Sequence, residues 1–367
     1  MRYSLLPVIV FFVSSLSLHG QSDLKTEETE GVISLRIKTI SFVKNNEYFN
    51  PVTEGYTLLG AFLQPELVYS PTEKISISAG AHLLKYSGIG KFSQVRPVLS
   101  ASLKLSDKTT LTIGSLNGSD KHRLFDPHFD SERIYSANLE EGFQLVRNSE
   151  HIFTDTWINW ENFIFKGDSV REVFTFGESF KYTSPKIGDI MEFEIPVQVQ
   201  FKHFGGQISN YPEPVETMFN FAVGMRVNFD LAGKKYGQAG IEYLQFLNNE
   251  LNGESQSGIT HGYASWTRFH YTYKSLYIGM AYWRAHNYFA PNGNYIYGCV
   301  SDYQTGVVVP DRKIITNFVY LTILPESYLE LFLGVETYYD ADLKRLDNAI
   351  ALHLNFDKLI RLAVLRH

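Results

Sequence analysis

Long stretches of the chain alternate strictly between apolar and polar residues. From Met191 to Phe201 every odd position is apolar, and the same holds from Phe219 to Phe229. A repeat of two places successive side chains on opposite faces of a β-strand. Each stretch therefore predicts a strand with one apolar face and one polar face.

The length of these strands indicates a membrane rather than a soluble β-sheet. They run to roughly 10 to 13 residues, whereas strands of soluble proteins average about 5 to 6 and membrane strands need about 9 to 11. An even number of strands suits a closed barrel, so we predict an all-β, transmembrane, antiparallel up-and-down β-barrel of about 16 strands, within a range of about 14 to 18. The predicted strands are residues 32–43, 57–69, 74–86, 93–105, 108–115, 141–148, 151–165, 170–182, 190–204, 217–229, 235–248, 260–273, 275–289, 312–324, 327–339 and 347–357.

The predicted connections alternate between short and long. Short ones, such as Lys274-Ser275, separate the long ones at residues 44–56, 116–140, 205–216, 249–259 and 290–311. Membrane barrels carry short turns on the periplasmic side and longer loops outside. We therefore expect both termini to be periplasmic.

The amino terminus has the layout of a secretory signal peptide. A short basic start, Met1 to Tyr3, precedes an apolar run from Leu5 to Leu18 and then Gly20-Gln21. This run is shorter than the roughly 20 residues of a membrane-spanning helix. We predict a signal peptide at residues 1–20 and a single barrel domain at residues 21–367, exported to the cell outer membrane.

Composition removes several other classes of function. The formal net charge is -6 and no basic run occurs, so no nucleic-acid partner is expected. Cys299 is the single cysteine, which excludes an internal disulfide framework and a cysteine-based metal cluster. No cofactor is predicted. The expected partners are outer-membrane lipids and lipopolysaccharide, small polar solutes, and a second copy of the chain in a homo-oligomer.

The long alternating strands, the short turns and the long connection after the fifth strand resemble the 16-stranded bacterial porins. The signal ending in Gly20-Gln21 resembles those of outer-membrane proteins from Bacteroidetes. This resemblance covers the mature chain and is architectural. It implies a passive diffusion channel in which the loop after the fifth strand folds into the pore. Porin chains usually end in an aromatic residue, whereas here Phe356 is followed by a further stretch that ends at His367.

The polar faces of the strands predict a wet interior that carries charges of both signs. A barrel of about 16 strands is wide enough for an aqueous channel unless it is plugged. The alternative is that these charges pair and fill a closed barrel. The predicted pore-lining residues are Arg36, Lys38, Arg96, Lys104, Glu192, Glu194, Lys202, Arg226, Glu242 and Arg268, with His270, Glu66, Glu330 and Glu336 on the same faces.

The loop at residues 116–140 carries the densest set of reactive side chains. The predicted constriction-loop residues are His122, Arg123, Asp126, His128, Asp130, Glu132 and Arg133. His122, Asp126, His128 and Asp130 are residue types that bind divalent metals, but their spacing matches no established signature, so no metal site is predicted. A salt-bridged surface loop is the alternative to a constriction.

Two further functions stay open beside the channel. A barrel lipid hydrolase would draw on Ser, His and acidic groups, but no nucleophile elbow is present and the chain is predicted not to be an enzyme. The candidate residues for it are Ser301 and Asp302, near Cys299, with His261, His270 and His286. A glycan- or protein-docking barrel would use the aromatic residues Tyr288, Phe289, Tyr295, Tyr297 and Tyr303.

Overall fold

The computed structural model describes residues 30–365 apart from positions 207, 254, 256 and 327. Within them the chain forms a closed barrel in which each strand pairs antiparallel with the next and the first strand pairs with the last. The predicted fold class is thus confirmed. The signal peptide predicted at residues 1–20 lies outside the described residues.

Sixteen strands build the barrel wall, and each overlaps one of the predicted segments. They are β1 (Val32–Phe49), β2 (Glu54–Ser70), β3 (Ile75–Tyr86), β4 (Gln94–Ser106), β5 (Thr109–Ser115), β6 (Glu141–Asn148), β7 (Ile152–Asn162), β8 (Glu172–Thr183), β9 (Met191–Gly205), β10 (Glu216–Asp230), β11 (Gln238–Glu250), β12 (His261–Tyr273), β13 (Leu276–His286), β14 (Asp311–Glu326), β15 (Leu329–Asp340) and β16 (Arg345–Val364). One helical turn, α1 (Arg133–Ser136), and two short 3-10 turns lie in the connections.

The barrel closes where β16 pairs with β1. β16 is longer than predicted and runs past Phe356, so that Val364 pairs with Val32. Beside this seam the Arg36 guanidinium donates to both carboxylate oxygens of Asp357, at 2.8 and 2.6 Å. The predicted end at residue 357 was wrong because β1 offers unpaired backbone groups beyond it, and the chain continues to satisfy them.

The alternation of the sequence decides which side chains point into the barrel and which point outward. On β4, Val95 and Leu99 point outward and are 64% and 62% exposed, whereas Val98 points inward and is buried. An exposed apolar belt around a closed sheet is stable only against lipid. The barrel therefore belongs in an outer membrane. No helix within the described residues is long and apolar enough to cross a bilayer.

The connections separate into two ends of the barrel. At the end where β1 begins and β16 ends they are short turns, and at the opposite, long-loop end they include residues 116–140 and 287–310. The long loop predicted at residues 44–56 was wrong. β1 and β2 continue through it with polar residues and leave only residues 50–53 as a turn.

A matched pair of substitutions tests which face of β4 meets lipid. Leu99→Arg places a charge on the outward face and is expected to lower the free energy of unfolding by about 2 to 4 kcal/mol. Ser100→Arg, one residue along and lining a polar cavity inside the barrel, should cost less than about 1 kcal/mol because its charge stays in water. Urea-induced unfolding in lipid vesicles measures both, and equal losses would contradict the assignment.

Candidate functional site

The loop of residues 116–140, between β5 and β6, spans the inside of the barrel. On one side the Phe125 N–H donates to Gln198 Oε1 of β9 at 3.1 Å, and on the other Lys38 Nζ of β1 donates to Asn138 Oδ1 at 3.1 Å. β1 and β9 lie on opposite sides of the ring of sixteen strands. The loop therefore crosses the lumen from wall to wall.

The loop of residues 287–310, between β13 and β14, also folds inward and meets the first loop. Asn294 Nδ2 donates to Asp126 Oδ2 at 3.0 Å, and the Asp130 N–H donates to the carbonyl of Asn292 at 2.7 Å. Apolar side chains of this second loop pack into one buried cluster with the inner wall. The cluster includes Tyr288, Ile296, Tyr297 and Cys299 from the loop and Phe246, Trp266 and Trp283 from the wall. Together the two loops fill much of the lumen.

The aromatic residues considered for external docking mostly lie inside the barrel. Tyr288, Phe289 and Tyr297 are buried, and Tyr295 packs against that buried cluster. Only Tyr303 of the five is exposed, at 41%. The docking interpretation fails for these four because their apolar rings fill the interior instead. The high density of aromatic residues in this loop is the feature of the sequence that could have indicated a buried position.

His122 is held between two carboxylates in the loop that crosses the lumen. Its Nε2 lies 2.6 Å from Glu140 Oε2 and its Nδ1 lies 2.8 Å from Asp155 Oδ2, while its ring stacks on Trp157 at 3.7 Å. Burial alone would lower the pKa of His122, but the carboxylates of Glu140 and Asp155 outweigh it and raise the pKa to about 9. A fully buried imidazolium with both nitrogens engaged fixes the loop rather than serving as a base.

The packing of this loop should weaken at alkaline pH. Because the folded pKa of His122 lies above its ordinary value of 6.5, its stabilisation is complete below that value and is lost as pH rises through about 9. We expect proteolysis of the loop to accelerate between about pH 8 and pH 10. A His122→Gln variant should show no such step, and an identical step in both proteins would contradict the assignment.

Glu132 is the most connected acid of the predicted constriction loop. It accepts hydrogen bonds from Asn46 Nδ2 at 3.0 Å and from the Tyr56 hydroxyl, and it pairs with Lys44 Nζ at 3.1 Å.

The other predicted residues of the constriction loop also lie in the lumen. Arg123 stacks on Phe153, Arg133 stacks on Phe129 and lies near Glu140, Asp126 and Asp130 accept backbone hydrogen bonds within the loop, and His128 is fully buried.

His122, Asp126, His128 and Asp130 do not converge on a common point. His122 is committed to two carboxylates, and neither ring nitrogen of His128 has a hydrogen-bond partner among the described residues. Burial lowers the pKa of His128 to about 3, so the ring is neutral. No group of three metal-binding side chains forms anywhere in the described part of the chain.

Four of the predicted pore-lining residues form one ion network on the inner wall. Glu242 accepts from Arg226 Nε and from Arg268 Nη1, both at 3.0 Å, and Glu194 accepts from Arg226 Nη1 at 2.9 Å. Lys181, which is not among the predicted lining residues, donates to Glu194 at 2.6 Å. The charges of both signs thus neutralise one another across β8 to β12.

The remaining predicted lining residues also have inward positions on their strands. Arg36 pairs with Asp357, Lys38 with Asn138, Arg96 with Glu141 and Lys202 with Glu161, while Glu192 is half-buried and Lys104 is exposed at the short-turn end. Two of the cavities among these side chains and the first loop have volumes of about 380 and 310 Å³. Arg268, Leu124 and Phe125 line both.

A different arrangement lies on the outer wall at the long-loop end. His286 ends β13 and Asp311 begins β14, and the two are direct cross-strand partners. His286 Nδ1 lies 2.8 Å from Asp311 Oδ1, with the side chains 42% and 71% exposed. The next two outward-facing residues along these strands are both cations. Arg284 of β13 lies directly opposite Lys313 of β14 in the strand register. The pair therefore faces the membrane boundary and not the lumen.

The other residues considered for a hydrolase lie apart from this pair. His270 points into the lumen and contacts Asn228, His261 bonds its neighbour Thr260, and Asp302 accepts a hydrogen bond from Thr53 beside the turn between β1 and β2. The Ser301 hydroxyl accepts a loop N–H from Gln304. Of the three histidines only His286 holds a carboxylate on an accessible surface.

The sequence matches the family described as Lipid A 3'-O-deacylase-type over residues 24–364. The chain belongs to this family. The prediction that it is not an enzyme is therefore wrong, because the family is defined by an enzymatic activity. The absence of a nucleophile elbow does not exclude an enzyme here, because that motif belongs to the α/β-hydrolase fold and not to a barrel. No curated protein matches the chain.

This deacylase-type chain shares its architecture with solved outer-membrane barrels. The outer membrane protein OprD from Pseudomonas aeruginosa superposes with a TM-score of 0.51 at 10% identity, covering 92% of this chain and 96% of OprD. A BenF-like porin from Pseudomonas fluorescens gives 0.51 at 9% identity, covering 89% and 99%. A loop-deletion mutant of OmpT from Vibrio cholerae gives 0.51 at 11%, covering 89% and 99%. The predicted porin-like barrel is confirmed as a fold.

Proposed function

We propose that this protein is an outer-membrane esterase that removes an acyl chain from a lipid A-type glycolipid at its outer wall. The observation that carries the proposal is the 2.8 Å contact between His286 and Asp311 on the face that meets the membrane boundary. Family membership supports the class of reaction, and the position supports the class of substrate, because a membrane lipid reaches an outer wall without leaving the bilayer.

The pair has the chemistry of a general base with its orienting acid. Asp311 accepts the Nδ1 proton of His286 and leaves Nε2 as the base. Ser265 faces outward on β12, opposite Arg284 and diagonal to His286, at a Cα separation of roughly 7 to 8 Å for such neighbours. Nε2 takes the Ser265 proton as the oxygen attacks the ester carbonyl, and it returns that proton to the departing sugar hydroxyl. Water then attacks the acyl ester on Ser265. Nε2 takes a proton from this water and returns it to the Ser265 oxygen as the fatty acid leaves.

The surroundings of the pair suit an anionic glycolipid. Arg284 and Lys313 offer positive charge beside the pair, and Lys313 is positioned by Asp342 at 3.0 Å. Tyr282 and Ile315, next on the same outward faces, are 43% and 37% exposed. Phosphate groups would meet the cations while acyl chains lie along the apolar wall. This arrangement requires the long-loop end to face outside the cell, with both termini periplasmic.

Removing the two cations should weaken substrate binding more than chemistry. The double change Arg284→Gln with Lys313→Gln is expected to raise KM for bisphosphorylated lipid A about five- to tenfold at low salt and to leave kcat within about twofold. A dephosphorylated substrate should show no difference between the two proteins. An equal rise in KM for both substrates would show that these side chains do not read phosphate.

Passage of small polar solutes is a second candidate function. The two adjoining lumenal cavities and their charged lining support it, because a barrel of this size is hydrated wherever its loops leave space. On this proposal the loop at residues 116–140 sets the width of the passage. The contact with lipopolysaccharide, the homo-oligomer and the signal peptide stay predictions.

A further inference from the structure

The second lumenal cavity, of about 310 Å³, lies between the loop of residues 116–140 and the inner wall of β7 to β12, and it is rich in positive charge. Its ionic lining consists of four cations and two carboxylates, from Arg123, Lys181, Arg226 and Arg268 and from Glu194 and Glu242. Glu194 pairs with both Lys181 and Arg226, at 2.6 and 2.9 Å. Glu242 pairs with both Arg226 and Arg268, at 2.7 and 3.0 Å. Each carboxylate is thus shared by two cations, and the lining keeps an excess of positive charge.

Arg123 is the lining cation that lacks a carboxylate. Its side chain makes no ion pair or hydrogen bond within the described residues, and its guanidinium lies over the Phe153 ring at 3.9 Å. Asp155 is the carboxylate whose charge acts most strongly on Arg123, but its oxygens already accept from His122 and Gln144. A guanidinium that stacks by its face keeps its N–H donors free, because they lie in its plane. The edge of Arg123 is therefore available to an anion.

A second unsatisfied donor lies on the wall of the same cavity. Ser179 of β8 lines it and is 3% exposed, and the Ser179 hydroxyl makes no hydrogen bond in the part of the chain that the structure describes. A buried hydroxyl without a partner is unfavourable, and an anion in the cavity would accept its hydrogen bond. On the loop side, Gln198 Nε2 of β9 donates to the Arg123 carbonyl at 3.1 Å and fixes the backbone there. A charged donor and a neutral donor are thus in place on the loop and on the wall.

We propose that this cavity binds a small organic anion, a carboxylate on a short apolar body. The free edge of a guanidinium holds a carboxylate through two parallel hydrogen bonds. Leu124, Phe125 and Pro196 also line the cavity and would contact the apolar body, which an inorganic anion lacks. The volume lies within the range of about 300 to 1,000 Å³ that small-molecule pockets occupy. The site is separate from the outer-wall pair and requires neither esterase activity nor passage of solutes through the barrel.

The test uses cyclohexanecarboxylate and its neutral amide, cyclohexanecarboxamide, with the full-length protein in non-ionic detergent micelles. Calorimetry at low salt measures both affinities, with protein-free micelles as the blank. We expect the carboxylate to bind at least about tenfold more tightly than the amide and than inorganic phosphate. Binding of the amide or of phosphate as tight as that of the carboxylate, or no binding of the carboxylate, would each overturn the proposal.

Variants separate the two donors of the site. Arg123→Gln removes the unpaired charge and should weaken binding of the carboxylate about tenfold or more, whereas Arg123→Lys keeps the charge without the paired donors and should weaken it less. Ser179→Ala should weaken binding about three- to tenfold. Lys104→Gln, at an exposed cation of β4 outside the cavity, is the matched control and should leave the affinity unchanged. Slower gel migration after boiling shows that each variant was folded. Full affinity in Arg123→Gln, or an equal loss in Lys104→Gln, would contradict the site.

Discussion

Replacing residues 119–137 with a short glycine-serine linker is expected to raise the single-channel conductance of the purified protein at least about fivefold. The loop reaches β9 through Gln198 and β1 through Lys38, so its removal opens the lumen from wall to wall. The loop at residues 287–310 stays in place against its own wall and limits the gain. Planar-bilayer recordings at fixed salt measure the step size.

The control for this deletion is a loop of the same barrel end that stays outside. Replacing residues 208–214, which are mostly exposed between β9 and β10, with the same linker should leave the conductance unchanged. A folded deletion of residues 119–137 that conducts as the parent does would show that the loop does not limit passage.

Arg123→Glu should also shift ion preference toward cations, because Arg123 lines the second cavity. Arg133 is unsuitable for this purpose, since its side chain is only 17% exposed against Glu140.

His286→Ala is expected to lower the rate of lipid A deacylation by about 10² to 10⁴-fold, the usual contribution of a general base. The side chain is 42% exposed, so its loss leaves no buried cavity and the barrel should keep its stability. Asp311→Asn should give a smaller loss, because the base remains but its orienting carboxylate is gone. Release of fatty acid from mixed micelles measures both rates.

His261→Ala provides the matched control for the proposed base. His261 is likewise exposed, begins the neighbouring strand β12 and bonds only the adjacent Thr260 within the described residues. Its removal should leave the rate within about twofold of the parent. If His286→Ala retains full activity as His261→Ala does, the ester is cut elsewhere. Ser265→Ala then separates a serine nucleophile from direct attack by water, since only the former predicts a covalent acyl-enzyme.

The fold followed from the sequence because membrane strands must alternate along their whole length. Even β5, with seven residues, was identified from this pattern. The predicted last strand is too short, because Lys358 and Leu359 break the alternation beside the seam while their backbone still pairs with β1. Alternation describes side chains, whereas closure of the barrel is decided by backbone hydrogen bonds.

The candidate sites were less accessible to sequence reasoning. His286 was noted, but its partner Asp311 lies beyond a 24-residue loop, and only the register of β13 against β14 brings them together. The predicted constriction residues do lie across the lumen, but the partners of His122 on the loop end and on β7 were not foreseen. The alternation of a strand decides which face each residue takes, and a tight turn decides the register, but a long loop leaves open which residues of the next strand lie opposite.

The mass of lipid A after incubation with the purified, refolded protein tests the esterase proposal most directly. Vesicles that contain bisphosphorylated lipid A are mixed with the parent or with His286→Ala, and the lipid is recovered for mass spectrometry. We expect the parent to yield lipid A that lacks one ester-linked acyl chain together with the matching free fatty acid, and the variant to leave the lipid intact. Unchanged lipid A in the presence of folded parent protein, or equal conversion by both proteins, would contradict an outer-wall esterase at His286.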